Sequence, residues 1–282
     1  MRKIYLLPNF ITTFGIACGL FVIFKVNLST SEAGTYELLH SSALLLLLAG
    51  LADFADGAVA RIIRAESEFG VMFDSLADTI SFGVAPAVLF LKTLQPRSGS
   101  WVAFFAVAGA MFYTFCGVLR LVRFNVRVQE ARSDAAAASA HKKNFTGLPI
   151  PMGAAGAVSV PLLFHSPLFT SFFSPLSEGV NAVILIGVMI VMGALMVSKW
   201  RFPSLKALRI RVPSLYLIIF TALFTGFVLY GILHCFSVVL LVGSFGYILS
   251  GCTLTITRLI AGKKSETLVD FEPEVDEQDE EG

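Results

Sequence analysis

Asp53-Phe54-Ala55-Asp56-Gly57-Ala58-Val59-Ala60-Arg61 and, after eight intervening residues, Gly70-Val71-Met72-Phe73-Asp74-Ser75-Leu76-Ala77-Asp78 place four carboxylates inside an otherwise apolar chain. A charge withdrawn from water is unfavourable by several kcal/mol unless a cation or partner neutralises it. A chain that keeps four together is using them. At helical pitch Asp53, Asp56, Gly57 and Ala60 share one stripe, with Arg61 one turn beyond Gly57. Gly70, Asp74 and Asp78 share a second stripe. Two facing helices would present the four carboxylates to one or two hard cations, which take oxygen ligands. Gly57, Ala60 and Gly70 are small enough for a flat or phosphate-bearing ligand to approach the backbone.

The rest of the chain is built for a bilayer. Of its 282 residues 56% are hydrophobic and 15% charged, and the mean hydropathy is +0.78. Long apolar runs recur throughout, which excludes a soluble domain. The pattern predicts an all-α integral membrane protein with about eight transmembrane helices. They fall near residues 8–24, 38–62, 70–93, 101–124, 147–165, 180–198, 214–233 and 235–258, the last two parted only around His234 and Cys235. With these spans, eighteen of the 21 basic residues fall on one side, and only Lys25, Lys92 and Arg97 on the other. The basic side is expected to be cytoplasmic, with both termini inside. The net charge of +1 hides this asymmetry, and a basic cytoplasmic face suits anionic headgroups or phosphates. No compact basic domain with interleaved aromatics exists, so nucleic acid is not expected as a partner.

One membrane domain, residues 1–262, is expected, followed by a tail over 263–282. The tail's acidic run, from Glu266 to Glu281, has the composition of a disordered segment. The first apolar segment starts within a few residues and lacks a small-residue cleavage signal, so it reads as a retained span. Cys18, Cys116, Cys235 and Cys252 lack metal spacing and read as small packing residues. From Leu38 to Arg61 is about 36 Å of helix, longer than a ~30 Å hydrocarbon core. The second span is therefore expected to carry its aspartates to the cytoplasmic interface, where the third re-enters from Gly70.

The frame D-x2-D-G-x2-A-R-x8-G-x3-D-x3-D resembles the signature of the CDP-alcohol phosphatidyltransferase family, matched at every defined position. Further segments are similar to the phosphatidylserine synthase branch of that family. They are Leu7-Pro8-Asn9, Ser81-Phe82-Gly83-Val84-Ala85-Pro86-Ala87, Arg120-Leu121-Val122-Arg123-Phe124-Asn125, Phe145-Thr146-Gly147-Leu148-Pro149-Ile150-Pro151 and Arg201-Phe202-Pro203-Ser204-Leu205-Lys206. One departure is Val122, where a small residue is expected at a buried interhelix position.

The resemblance covers roughly residues 5–258. It implies a six-helix core plus two helices, a homodimer, and an active site facing the cytoplasm from an inner membrane. It also implies two divalent cations, Mg²⁺ or Mn²⁺, held by Asp53, Asp56, Asp74 and Asp78. The activity implied is transfer of a phosphatidyl group from CDP-diacylglycerol to L-serine, releasing CMP. Gly57, Ala60 and Gly70 would line the cytidine pocket, with Arg61 near the phosphates. Asp78 matches the position of the family's candidate general base.

The residues agree with that chemistry. A serine hydroxyl needs a carboxylate to take its proton as it attacks. Arg120 and Arg123, one turn apart with Asn125 just beyond, offer guanidinium groups able to grip a carboxylate bidentately. Membrane anchoring is the competing role for both arginines. The acceptor is not decided by these residues: glycerol 3-phosphate, inositol phosphate and choline remain open beside serine, and the basic loop Lys199–Arg211 would suit a phosphorylated one. A cation-coupled transporter also carries acids in apolar helices, but near the midplane and usually in two related halves, which this chain lacks.

Overall fold

The structure is a computed structural model and describes residues 6–29, 35–62, 68–96, 99–133, 147–173, 177–198, 200 and 229–261. Every regular element among them is helical. The helices are α1 (Leu6–Leu28), α2 (Thr35–Ile62), α3 (Glu68–Asp78), a π-helical segment (Thr79–Val84), α4 (Ala85–Leu94), α5 (Trp101–Ser133), α6 (Ile150–Phe164), α7 (Pro167–Phe172), α8 (Glu178–Val197) and α9 (Phe236–Ala261).

Six stretches among the described residues are long and apolar enough to cross a bilayer: Pro8–Leu28, Thr35–Val59, Phe69–Leu94, Trp101–Val126, Glu178–Val197 and Phe236–Thr257. The expected span at 147–165 is instead the shorter helix α6, which at 15 residues is only about 22 Å long. It ends at Phe164 with His165 as its C-cap, and the next residue, Ser166, accepts from the Phe169 amide 3.2 Å away and caps α7. The expected span at 214–233 lies outside the described residues except for its last turn. Its boundary with the final helix is visible: residues 229–234 are helical, and α9 starts after Cys235. The acidic tail also lies outside the described residues.

The helices turn apolar side chains outward as well as inward. Phe10, Phe14, Phe21 and Phe24 of α1, and Phe104, Phe105 and Phe115 of α5, are exposed, as a lipid-facing surface requires. Trp101 opens α5 with its ring 81% exposed, the position of an interfacial anchor. Val122 also points outward, about half exposed, so the buried interhelix position expected for it is corrected; an exposed site does not require a small side chain. Cys18 and Cys116 are buried, and all four cysteines are free thiols.

Inside, α1 packs along α2, α5 along α8, and α9 along α6. Lipid supplies no hydrophobic drive between helices, so close approach of small residues holds such bundles together. At Gly19 of α1, a Cβ atom would lie 2.7 Å from Ser81 Cα, so the backbones of α1 and the π segment touch where only glycine fits. The Ser81 hydroxyl donates to the Gly15 carbonyl at 3.0 Å. On the opposite side, Tyr113 Oη donates to the Phe82 carbonyl at 2.7 Å and Thr114 Oγ1 to the Gly83 carbonyl at 3.1 Å. A π turn weakens the regular backbone ladder. Here α1 and α5 clamp it from both sides, directly after Asp78.

Candidate active site

Helix α2 brings Asp53 and Asp56 onto the face that meets α1, and α3 brings Asp74 and Asp78 alongside. Asp53, Asp56 and Asp74 each place one carboxylate oxygen within 4.8 Å of the others. These four carboxylates line a cavity of about 10 Å³ together with Thr12, Gly15, Ala49, Ala77, Ser81 and Phe82. That volume is about one water or one ion.

Two carboxylate charges within 4.8 Å of each other repel by about 3.5 kcal/mol or more at an effective dielectric of 20. Four ionised acids in one cluster therefore call for positive charge. Arg120 supplies some of it, since its guanidinium is within electrostatic reach of Asp78 and Asp53. One arginine does not balance four acids. An all-oxygen donor set around an ion-sized space fits a hard divalent cation such as Mg²⁺ or Mn²⁺.

A residue that sequence reasoning missed holds the cluster from α1. Thr12 Oγ1 lies 2.7 Å from Asp56 Oδ2, and both side chains are buried. A lone threonine in an apolar helix carries no pattern that would have marked it. Ser75, next to Asp74, is a second: Asn125 Nδ2 donates to its hydroxyl at 2.9 Å. Asn125, expected to touch substrate, thus ties α5 to α3 beside the carboxylates.

The two arginines separate. Arg123 Nη1 donates to the Val197 carbonyl at 3.1 Å, binding α5 to the last turn of α8. Gly147, at φ +90°, fits against the same guanidinium, where a Cβ would come within 3.0 Å of Nη2. The Arg120 Nε–H, by contrast, is buried without a hydrogen-bond partner. A buried donor left unpaired is unfavourable by roughly 1–3 kcal/mol, which an anionic ligand would recover.

Gly57 is exposed, and a Cβ there would meet nothing within 4 Å, which leaves room beside Asp56. Gly70 is half-buried at the start of α3. Ala60 and Arg61 lie in the last turn of α2, but their side chains fall outside the described residues.

A second, larger cavity of about 530 Å³ begins at Asp53 and follows α2 to Ala43. Those eleven residues span about 15 Å. Its wall is apolar (Leu46, Phe82, Met152 and Val158 among others). An ion-sized acidic pocket thus adjoins an apolar one long enough for a hydrocarbon chain.

Comparison with known proteins agrees with this arrangement. Residues 5–246 match the sequence model of the family described as CDP-alcohol phosphatidyltransferase. Three similar relatives each carry the name CDP-diacylglycerol–serine O-phosphatidyltransferase. The protein from Helicobacter pylori J99 is 29% identical over 74% of this chain and 76% of its own length. That from Methanocaldococcus jannaschii is 30% identical over 72% and 77%, and that from Bacillus subtilis 30% identical over 71% and 91%. With the carboxylate frame complete and the match spanning most of its length, the chain belongs to the CDP-alcohol phosphatidyltransferase family.

Proposed function

We propose that this protein transfers the phosphatidyl group of CDP-diacylglycerol to the hydroxyl of L-serine, giving phosphatidylserine and CMP. The observation that carries the reading is the four-carboxylate pocket adjoining the apolar cavity at Asp53 and Phe82, with Arg120, whose buried Nε–H lacks a hydrogen-bond partner, in electrostatic reach of Asp53 and Asp78. The names of the relatives support serine as acceptor.

Asp53, Asp56, Asp74 and Asp78 would hold the divalent cations, two by family resemblance. Bound there, Mg²⁺ or Mn²⁺ neutralises the phosphate oxygens and the charge growing on the departing CMP. The protein's own residues do the remainder. The apolar cavity takes acyl chain and keeps the glycerol end at the carboxylates. Gly57 and Gly70, with Ala60, leave space for the cytidine, and Arg61 lies toward the phosphates.

Arg120 binds the serine carboxylate in two parallel hydrogen bonds, with Arg123 as the alternative grip. Asp78 accepts the proton from the serine hydroxyl as its oxygen attacks phosphorus. The bond from phosphorus to the CMP oxygen breaks in line with that attack, and no Ser, His or Cys is required as a covalent relay.

The same reading places the active site on the cytoplasmic side of a cell membrane, within a homodimer whose membrane domain ends near residue 262. CMP release by purified protein tests it, with CDP-diacylglycerol and Mn²⁺ against serine, glycerol 3-phosphate, inositol 1-phosphate and choline. Release with serine alone is the expected result. Release with another acceptor moves the branch, and release with none overturns the function.

A further inference from the structure

The large cavity has a polar end that the four aspartates do not account for. Of the seventeen described residues lining it, only Asp53 and Tyr247 carry side-chain oxygens. Tyr247 comes from α9 (Phe236–Ala261), one residue beyond the segment matched by the family model.

Its placement is determined by packing. Ser244 Oγ lies 3.4 Å from Ser159 Oγ in the buried seam between α9 and α6, and Ile248 closes over Gly156. Those contacts set the rotation of α9. Tyr247 is three residues after Ser244, so it projects along the same stripe into the cavity.

The other end of that stripe is apolar. Leu240 packs with the cluster of Ala43 and Leu46, whereas Tyr247 packs with that of Ala49 and Phe82. Two turns of α9 therefore run from the hydrocarbon end to the carboxylate end, and the phenol stands at the latter. There it is within electrostatic reach of Arg120.

We infer that the Tyr247 hydroxyl recognises the ester carbonyl of a diacyl lipid substrate at the level of its glycerol. The inference rests on the proposed lipid substrate. A substrate with its phosphates at the aspartates and one chain along α2 must pass its glycerol linkage between them. Between them the described wall offers one neutral hydrogen-bonding side chain. A phenol both donates and accepts, so a protein partner on one side is compatible with donation to an ester carbonyl on the other. An ether-linked lipid has no carbonyl to receive that bond.

The test compares CDP-diacylglycerol with its dialkyl ether analogue in the CMP-release assay, using wild-type protein and Tyr247→Phe. Wild type is expected to show a KM about fivefold lower for the diacyl lipid, the worth of one ordinary hydrogen bond. Tyr247→Phe is expected to raise the diacyl KM to the dialkyl value while the serine KM stays in place. Equal KM values for both lipids in wild type overturn the inference. So does a Tyr247→Phe effect of equal size on both lipids, or one confined to serine, since either would assign the phenol to Arg120. The wild-type comparison stands even if the variant fails to fold. Absence of CMP release from wild type with either lipid and any acceptor would instead overturn the proposed function itself.

Discussion

Thr12 Oγ1 stands 2.7 Å from Asp56 Oδ2, joining the first helix to the carboxylate cluster of the second. A hydroxyl donated to one oxygen orients the carboxylate and leaves the other oxygen for a ligand. Partners of this kind commonly change metal affinity by about 10–100-fold. Thr12→Val preserves shape and removes the bond. The Mn²⁺ concentration giving half-maximal CMP release is expected to rise by about tenfold, and chelator treatment of wild type to abolish release. An unchanged Mn²⁺ titration would make the contact structural only.

Asp78 lies deepest along its stripe, in electrostatic contact with Asp53, Asp74, Asp56 and Arg120. As the proposed general base it would contribute about 10²–10⁴-fold to turnover. Asp78→Asn is expected to lose that factor while CDP-lipid still raises the melting temperature of the variant. Near-normal CMP release would move the base elsewhere.

Arg120 and Arg123 are one turn apart but differently engaged. Arg123 is bonded to the Val197 carbonyl, and Arg120 buries an unpaired Nε–H. An ammonium cannot reproduce a bidentate grip. Arg120→Lys is therefore expected to raise the serine KM by about tenfold, more than Arg123→Lys does, with the lipid KM little changed in both. The reverse order would give the carboxylate to Arg123.

Tyr113 is fully buried, and its hydroxyl satisfies the Phe82 carbonyl of the π segment. Tyr113→Phe keeps the ring and strands that carbonyl, at roughly 1–3 kcal/mol. A lower melting temperature is expected, and the serine and lipid KM values measure whether Asp78 moves with the segment.

Gly19 sets the spacing between α1 and the π segment. A Cβ there would lie 2.7 Å from Ser81 Cα, a backbone atom that cannot swing aside. Gly19→Ala is expected to yield little folded protein, whereas Gly187→Ala, whose Cβ would meet nothing within 4 Å, keeps its melting temperature within a degree or two of wild type. Equal stability of both variants would mean that α1 slides freely.

Much of the site was legible because its chemistry is local. Asp53 and Asp56 share one helix, Asp74 and Asp78 the next, and helical pitch alone aligns each pair. The long second helix, the unbroken third span and the break at Cys235 follow equally from runs of apolar residues. Helix α6 starts three residues later than the expected span, at Ile150, because Pro149 at ψ 138° is its non-helical N-cap, which hydropathy does not register. Val122 was placed inside on the family resemblance, which expects a small residue there, whereas the structure exposes it; in a membrane protein the lipid side is as apolar as the core, so composition does not separate the two.

Composition and spacing thus determined that this chain is a helical membrane protein with a frame of clustered carboxylates whose oxygens suit a hard cation. Those properties depend on solvent and on 3.6-residue periodicity, both readable from one strand of sequence. Only the tertiary structure decided that Thr12 holds Asp56, that Arg123 is bound to α8 while Arg120 keeps a buried donor unpaired, and that α9 brings Tyr247 to the apolar cavity. Each is a contact between residues 44 or more positions apart, set by how glycines and small side chains let helices approach, and no local pattern encodes it.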